Sequence, residues 1–262
     1  MIPGLSSIAE QGLAAMLTPH ATSLTPQALS ALPIVIFGQS DPELARLGIR
    51  VVGQADLTVV VTDPDRPVGR VTIEVARPGN LVLFDNSAAG GHFHANLRIL
   101  GEDSAMLFHG LGDGYVALHD VFLRSRGQVL LWGRGATAVG LSIEHEGAAR
   151  TLLVGEDALI SSGIWIRNHD MHAVHDLKSG QRINRPPVDT VIERHVWVGQ
   201  NALLLGCQLI GRGAIIGAAS LVKGVVEPRT AVGGAPARVI RTHVSWGRDI
   251  EGMTEAELRA VE

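Results

Sequence analysis

Beginning at Ile192, a branched aliphatic residue returns at every sixth position: Val198, Leu204, Ile210, Ile216 and Val222. Val154, Ile160 and Ile166 keep the same step further upstream. Three such units make one triangular coil of about 18 residues, with the aliphatic side chain pointing inward at each face. The spacing then stacks Ile192 on Ile210, Val198 on Ile216 and Leu204 on Val222, one parallel-strand distance apart. No coil can bury its face alone, so each depends on its neighbours. Gly199, Gly211 and Gly217 directly follow their aliphatic partners, and small residues recur four places on, at Ala202, Ala214 and Ser220. The expectation is an all-β solenoid over this part of the chain.

Composition agrees with thin repeated layers. Of 262 residues 46% are hydrophobic but only 4% aromatic, and the 31 glycines suit a chain that turns often. A net charge of −4 with interspersed signs lacks the basic stripe of a nucleic-acid binder, so no nucleic-acid partner is expected. The single Cys207 excludes an intrachain disulfide and fits a reducing compartment. Met1 to Leu17 lacks the charged leader and apolar run of a signal peptide, and the run Leu32 to Phe37 is too short to cross a bilayer. A cytoplasmic protein without a membrane-spanning segment is the reading.

The chain divides into three. Residues 1–66 read as a small mixed α/β segment of unknown role. Ser7 and Glu10 have capping-box spacing ahead of a short helix over Ile8 to Leu17. Strands are predicted at Pro33 to Phe37 and Leu57 to Val61, a helix at Asp41 to Leu47, and a turn at Asp63-Pro-Asp-Arg-Pro67. Residues 67–246 form the predicted β-helix domain. Its first part carries short apolar runs (Val71-Ile73-Val75, Leu81 to Phe84, Met106 to Phe108, Val129 to Trp132, Leu152 to Val154) whose ragged spacing fits a solenoid or a sandwich. Residues 247–262 hold a C-terminal helix that starts at the capping-box spacing Thr254 to Glu257 and is expected to cover the open end of the stack.

An insertion at 167–190 breaks the six-residue step and gathers polar residues: Asn168-His-Asp-Met-His172, His175-Asp176, Lys178-Ser-Gly180 and Arg182-Ile-Asn184. Functional groups collect on such insertions when a rigid scaffold carries them. The run Asp170 to Asn184, followed by His195-Val-Trp-Val-Gly199, resembles the bacterial hexapeptide-repeat acetyltransferases, nearest the branch that O-acetylates capsular and other surface polysaccharides. Ile216-Gly-Ala-Ala-Ser-Leu-Val222 and Gly234-Ala-Pro-Ala-Arg238-Val-Ile-Arg241 are similar to that family's last coil and exit. The resemblance covers about residues 150 to 246 and does not extend into the first 150.

The resemblance implies a left-handed parallel β-helix, a homotrimer, and acetyl-CoA lying in the groove between neighbouring subunits. It implies direct transfer, in a ternary complex, to a hydroxyl of a carbohydrate. His172, in its Asp-x-His context, matches the catalytic base. Imidazole ordinarily titrates near pH 6.5, so its neutral form can take a proton from the acceptor hydroxyl, a role worth roughly 10²–10⁴-fold. Asp170, Asp176 or a carbonyl is expected to orient it, and His169 is the rival base. His175 and His195 are read as structural or solvated. Trp197 matches a tryptophan lining the acceptor and thioester site, and a backbone N–H near Trp197 to Gly199 would hold the oxyanion. For the coenzyme, Arg238 and Arg241 match a basic pair that meets phosphates, and Ala218 a position whose backbone meets the pantetheine arm. Lys223 is displaced by one position from the family's Thr-Lys, which puts its coenzyme contact in question.

Other readings remain open at this stage. N-acetylation of an amino sugar or antibiotic would use the same base and coenzyme. A zinc lyase of the carbonic-anhydrase type, with histidines 169, 172 and 175, shares the fold. A non-catalytic scaffold is a fourth. Cys207 lies in the repeat register rather than beside a base and is read as structural. His92 and His94 share a strand face with no evident third ligand, and no metal is expected.

Overall fold

The computed structural model describes residues 5–7, 9–11, 31–88, 92–112, 114–184 and 186–262. Strand β1 (Val35–Gly38) is followed by a short helix, α1 (Glu43–Arg46). The next ten strands are β2 (Ile49–Val52), β3 (Leu57–Val61), β4 (Arg70–Val75), β5 (Asn80–Phe84), β6 (Phe93–Ile99), β7 (Ala105–Phe108), β8 (Val116–Leu123), β9 (Val129–Trp132), β10 (Thr137–His145) and β11 (Thr151–Val154). They stack in two parallel rows, β2-β4-β6-β8-β10 and β3-β5-β7-β9-β11. The region left open between solenoid and sandwich is therefore solenoid. Its first rung starts at Ile49, upstream of the boundary read at residue 67, because Ile49 to Val52 and Leu57 to Val61 already pair with the rung above.

Beyond β10 the long strand divides. Thr137–Ala138 pair with β12 (Leu159–Ile160), whereas Leu141 to Glu144 pair with β13 (Ile164–Arg167). Three faces then continue upward. The first runs through β15 (Trp197–Val198), β17 (Ile215–Ile216) and β19 (Thr230–Gly233). The second follows the start of β16 (Leu203–Ile210) and of β18 (Leu221–Val226), and the third follows β14 (Thr190–Ile192) and the ends of those same two strands. Ile192 pairs with Ile210, Val198 with Ile216 and Leu204 with Val222, the pairs read from the repeat. All six are buried. Removing each such side chain from water contributes about 1.5–3 kcal/mol.

Rung size changes along the axis. Leu83 pairs with Leu107, 24 residues on, and Leu107 with Leu131, again 24 on, whereas Ile192 pairs with Ile210 only 18 on. The wide rungs enclose more space, and rings fill it. Phe84 stacks on Phe108 with centroids 5.4 Å apart, Phe93 meets Phe108 edge-on at 5.0 Å, and Trp132 lies in the next rung. The outer side of the β5-β7-β9 row is also apolar (Leu81, Leu83, Ala105, Leu107, Val129, Leu131), and Leu5, Ala9, Leu32 and Ile34 pack over it. Near the N-terminus the helix cap is Ser6 rather than Ser7: its Oγ accepts from the Ala9 N–H, and Ser7 is itself helical. The rest of the helix expected up to Leu17 lies outside the described residues, apart from Ala9 to Gln11, which are helical.

At the other end, helix α2 (Glu255–Val261) starts with the expected capping box between Thr254 and Glu257. It does not cover the open end of the stack. The tail runs back along one corner, where Arg248 bonds Asp157 and the Gly135 carbonyl and Ser245 bonds the Gly213 carbonyl. The last rung is closed instead by β20 (Arg238–Thr242), antiparallel to β19.

Candidate active site

Strand order stops at Arg167 and resumes at Thr190, the limits read for the insertion. Its base is clamped. Buried Asn168 donates from Nδ2 to the carbonyls of Glu146 and Val188 and accepts at Oδ1 from the Glu146 N–H. Asp189 accepts from the Thr151 N–H at 2.8 Å. Within the loop, Asn184 ties the two arms together. Its Nδ2 donates to the His172 carbonyl (2.8 Å) and to Asp170 Oδ2 (3.2 Å), and its Oδ1 accepts from the Val174 N–H. Asp176 Oδ1 accepts from the Lys178 and Ser179 N–H groups, a turn that holds its carboxyl below the ordinary range. Asp176 is thus engaged at the loop tip and Asp170 with Asn184, and neither bonds the His172 ring among the described residues.

A cavity of about 490 Å³ opens beneath the loop, lined by His169, Asp170 and Asn184 on one side and by Leu205 and Lys223 on the other. Of the polar residues singled out in the sequence, it unites Asn168, His169, Asp170, Asn184 and Lys223. His172 stands on the exposed side of the loop. The two histidines differ in chemistry. His169 Nδ1 accepts the Met171 N–H at 2.7 Å. The neutral ring must then carry its proton on Nε2, which is buried without a partner. Burial also lowers the His169 value. In this tautomer Nε2 donates and cannot serve as a base. His175 Nδ1 faces the Gly180 carbonyl at 3.2 Å, and among the described residues no three His, Cys, Asp or Glu side chains are grouped to hold a metal ion.

Trp197 lies at a different corner. A full face of the same coil, Leu203 to Leu205, separates it from the loop base. Its ring is 38% exposed and 6.2 Å from that of Trp246. Trp246 stacks on His195 at 4.3 Å and donates from Nε1 to the His195 carbonyl. His195 is buried, with Nδ1 2.6 Å from Asp157 Oδ2 and Nε2 2.8 Å from the Trp246 carbonyl. Both neighbours are acceptors, so His195 is a structural tie between corner and tail. Burial opposes ionisation of Asp157, but bonds from His195 and Arg248 outweigh it and lower its value. Ala218 is exposed in the turn stacked on Gly199, where a Cβ on Gly199 would come 2.7 Å from the Ala218 nitrogen. Arg238 and Arg241 are exposed on β20. One chain therefore does not gather His172, Trp197, Ala218 and the arginine pair into a single pocket.

Cys207 is buried, with its thiol pushed up to about 12 by that burial, and its Sγ donates to the Val222 carbonyl. Sequence reasoning missed His145. It follows Leu141 and Ile143 in the inward alternation of β10, and its Nδ1 accepts from Gln128 Nε2 at 2.9 Å. Burial first, then His169 and Arg150, push it down to about 3. A histidine at an inward position between Glu144 and Glu146 was the available signal. Also missed was Asp85, buried in a wide-rung corner. Burial opposes its ionisation, but His109, Ser87, Thr62 and the Gly110 N–H together hold it well below the carboxylate range.

No family model matches the chain. It is 35% identical over 96 residues to the polysialic acid O-acetyltransferase of Neisseria meningitidis, covering 36% of this chain and 44% of that protein. It is also 35% identical over 115 residues to a chloramphenicol acetyltransferase of Agrobacterium fabrum, covering 38% and 54%. The chain spans about half the length of the curated relatives it matches. Its fold matches the crystal structure of the polySia-specific acetyltransferase NeuO with a TM-score of 0.58, at 20% identity, over 80% of this chain and 83% of that one. The chain resembles the hexapeptide-repeat acetyltransferases. The solenoid is the left-handed β-helix of that group, continued here through wide N-terminal rungs. Among the described residues no helix is long and apolar enough to cross a membrane.

Proposed function

We propose that the protein is an acetyl-CoA-dependent O-acetyltransferase that acts on a carbohydrate hydroxyl. The observation that carries this reading is the polar insertion at 167–190, clamped at both ends on a hexapeptide solenoid and presenting His172. His172 is the general base. The tautomer of His169 leaves it as a hydrogen-bond donor. A neutral imidazole at His172 takes the proton as the acceptor oxygen attacks the thioester carbonyl. The tetrahedral intermediate then collapses, and the departing thiolate receives that proton. Transfer is direct, in a ternary complex, since buried Cys207 is unsuited to carry an acyl group.

The site is completed between chains. His172 and Trp197 occupy different corners of one solenoid, so a neighbouring copy in a homotrimer supplies the Trp197 that faces a given His172. Ala218, Lys223, Arg238 and Arg241 line the coenzyme groove, the arginines pairing with phosphate oxygens through their planar forks. Asp170, held by Asn184, positions the loop backbone rather than the His172 ring. Dependence on acetyl-CoA suits a cytoplasmic location. The named relatives acetylate polysialic acid or chloramphenicol, and a carbohydrate hydroxyl is preferred here because the loop resembles the polysaccharide branch. CoA release from acetyl-CoA with a panel of sugars and bacterial polysaccharides tests this. His172→Ala should lower kcat by roughly 10²–10⁴-fold, and equal release by both proteins would remove His172 from the mechanism.

A further inference from the structure

The wide rungs carry a second concavity of about 540 Å³ on their outer side, away from the loop. Its floor is made of small residues, among them Gly69, Ala95 and Ala117. A Cβ on Gly69 would strike the Phe93 carbonyl at 2.0 Å, so this floor cannot be filled without parting the rungs. Register shifts fall between Ala95 and Leu97 in the β6–β8 pairing and on both sides of Leu141 in the β8–β10 pairing. Such bulges bend a strand and re-aim its side chains. Here they direct His119 outward over Gly140, whose Cβ would lie 3.0 Å from His119 Nε2. Around the rim stand Arg70, His94, Asn96 and Tyr115. Tyr115 is the only tyrosine of the chain and is 46% exposed, with its ring centroid 6.0 Å from that of His94. Asn96 Nδ2 donates to the His119 carbonyl, which fixes the amide.

Position along the solenoid links this groove to the proposed site. Thr137 pairs with Leu159 and Leu159 with Trp197, while the Tyr115 carbonyl accepts from the Ala138 N–H one rung below. Tyr115 and Trp197 thus share one outward row, three rungs apart. At a strand spacing of about 4.8 Å they are about 14 Å apart, roughly two to three sugar units. The C-terminal tail covers this corner only as far as Gly135 and Thr137, where Arg248 ends, and Tyr115 lies just beyond it.

We propose that this groove is a glycan subsite that holds neighbouring units of a polymeric acceptor while one unit is presented near Trp197. A flat ring suits the C–H face of a pyranose, and fixed amide, imidazole and guanidinium groups suit its hydroxyls and any carboxylate. The proposal rests on the carbohydrate reading above and deepens it to a polymer.

The test is direct binding without turnover. His172→Ala protein, which cannot progress to product, is titrated with polysialic acid and with a panel of bacterial capsular polysaccharides, each compared with its monosaccharide. Tyr115→Ala and, independently, Val139→Arg, which plugs the groove from an exposed rim position, are made in the same background. Binding of at least one polymer, weakened about tenfold or more (1.4 kcal/mol) by either change with an unaltered Tm and oligomeric state, supports the subsite. Binding of no polymer, or equal binding by the variants, overturns it, as does a change of oligomeric state in both variants with no glycan bound, which would make the groove a contact between copies. CoA release with monosaccharide acceptors tests the acetyl-transfer reading separately: Tyr115→Ala and Val139→Arg made in the chain that keeps His172 should leave that release intact.

Discussion

The wide and tight parts of the solenoid solve the same packing problem with different side chains. In the tight coils each face contributes one aliphatic residue to the axis, whereas glycines with no room for a Cβ against the next rung occur in both parts, as at Gly69 and Gly211. In the wide rungs the larger interior takes Phe84, Phe93, Phe108 and Trp132. Their corners are held by buried polar side chains: Asn80 Oδ1 accepts from the Ser104 N–H, Ser104 Oγ from the Gln128 N–H, and Asn86 Oδ1 from the Thr62 N–H. Rung perimeter therefore decides whether a coil is specified by a strict repeat or by individual ring packing and polar ties.

Substitutions in the two parts sharpen that contrast. Phe108→Ala should cost about 3–5 kcal/mol, because a wide rung cannot collapse around the missing ring, whereas Ile216→Val should cost about 0.5–1.5 kcal/mol. Denaturant midpoints measure both, and equal losses would break the distinction. Next in size is Gly211→Ala. Its Cβ would lie 2.4 Å from the Pro228 nitrogen of the adjoining coil, and about 1–3 kcal/mol of overpacking is expected. Gly135→Ala, where nothing lies within 4 Å but φ is +70, should cost about 1 kcal/mol from backbone strain alone. A larger loss at Gly135 than at Gly211 would mean that coil spacing is not the constraint in the tight part.

A further effect concerns pH, and it grows with acidity. Folded His145 stays neutral to about pH 3, whereas the unfolded imidazole takes up a proton below about 6.5. Acid therefore favours the unfolded chain through this group. Its contribution is constant above about 6.5, is lost as pH falls toward 3, and has a slope on the order of 1 kcal/mol per pH unit. Melting curves between pH 4 and 7 should be flatter for His145→Gln than for the parent, and parallel curves would contradict the burial of a neutral ring.

The same contrast explains what the sequence disclosed. The six-residue step from Ile192 to Val222 was legible because every face of a tight coil repeats one demand, and the observed pairs follow it. The wide rungs were legible only as separate strands. Their repeat of 22 to 24 residues is blurred by bulges such as that beside Leu141, and Val, Phe and Trp replace one another along one inward row. The same blurring placed the start of the stack at residue 67 instead of Ile49. The insertion was found by its break in period, and Asn168, His169, Asp170 and His172 with it. The tautomer of His169 was not legible, since it follows from the Met171 N–H on His169 Nδ1, a contact made by loop geometry. The path of the C-terminal tail was missed because the capping box fixes where the helix starts, not the corner that Arg248 and Trp246 bind.

The sharpest measurement of the proposed site uses two inactive variants together. His172→Ala and Trp197→Ala chains are co-expressed with different tags, the mixed assemblies are isolated, and CoA release is followed with the best acceptor. If a base from one chain works beside the tryptophan of the next, every isolated mixed trimer carries one intact interface in three, and about a third of the parental rate returns. A mixture no more active than either variant alone would contradict a site shared between chains.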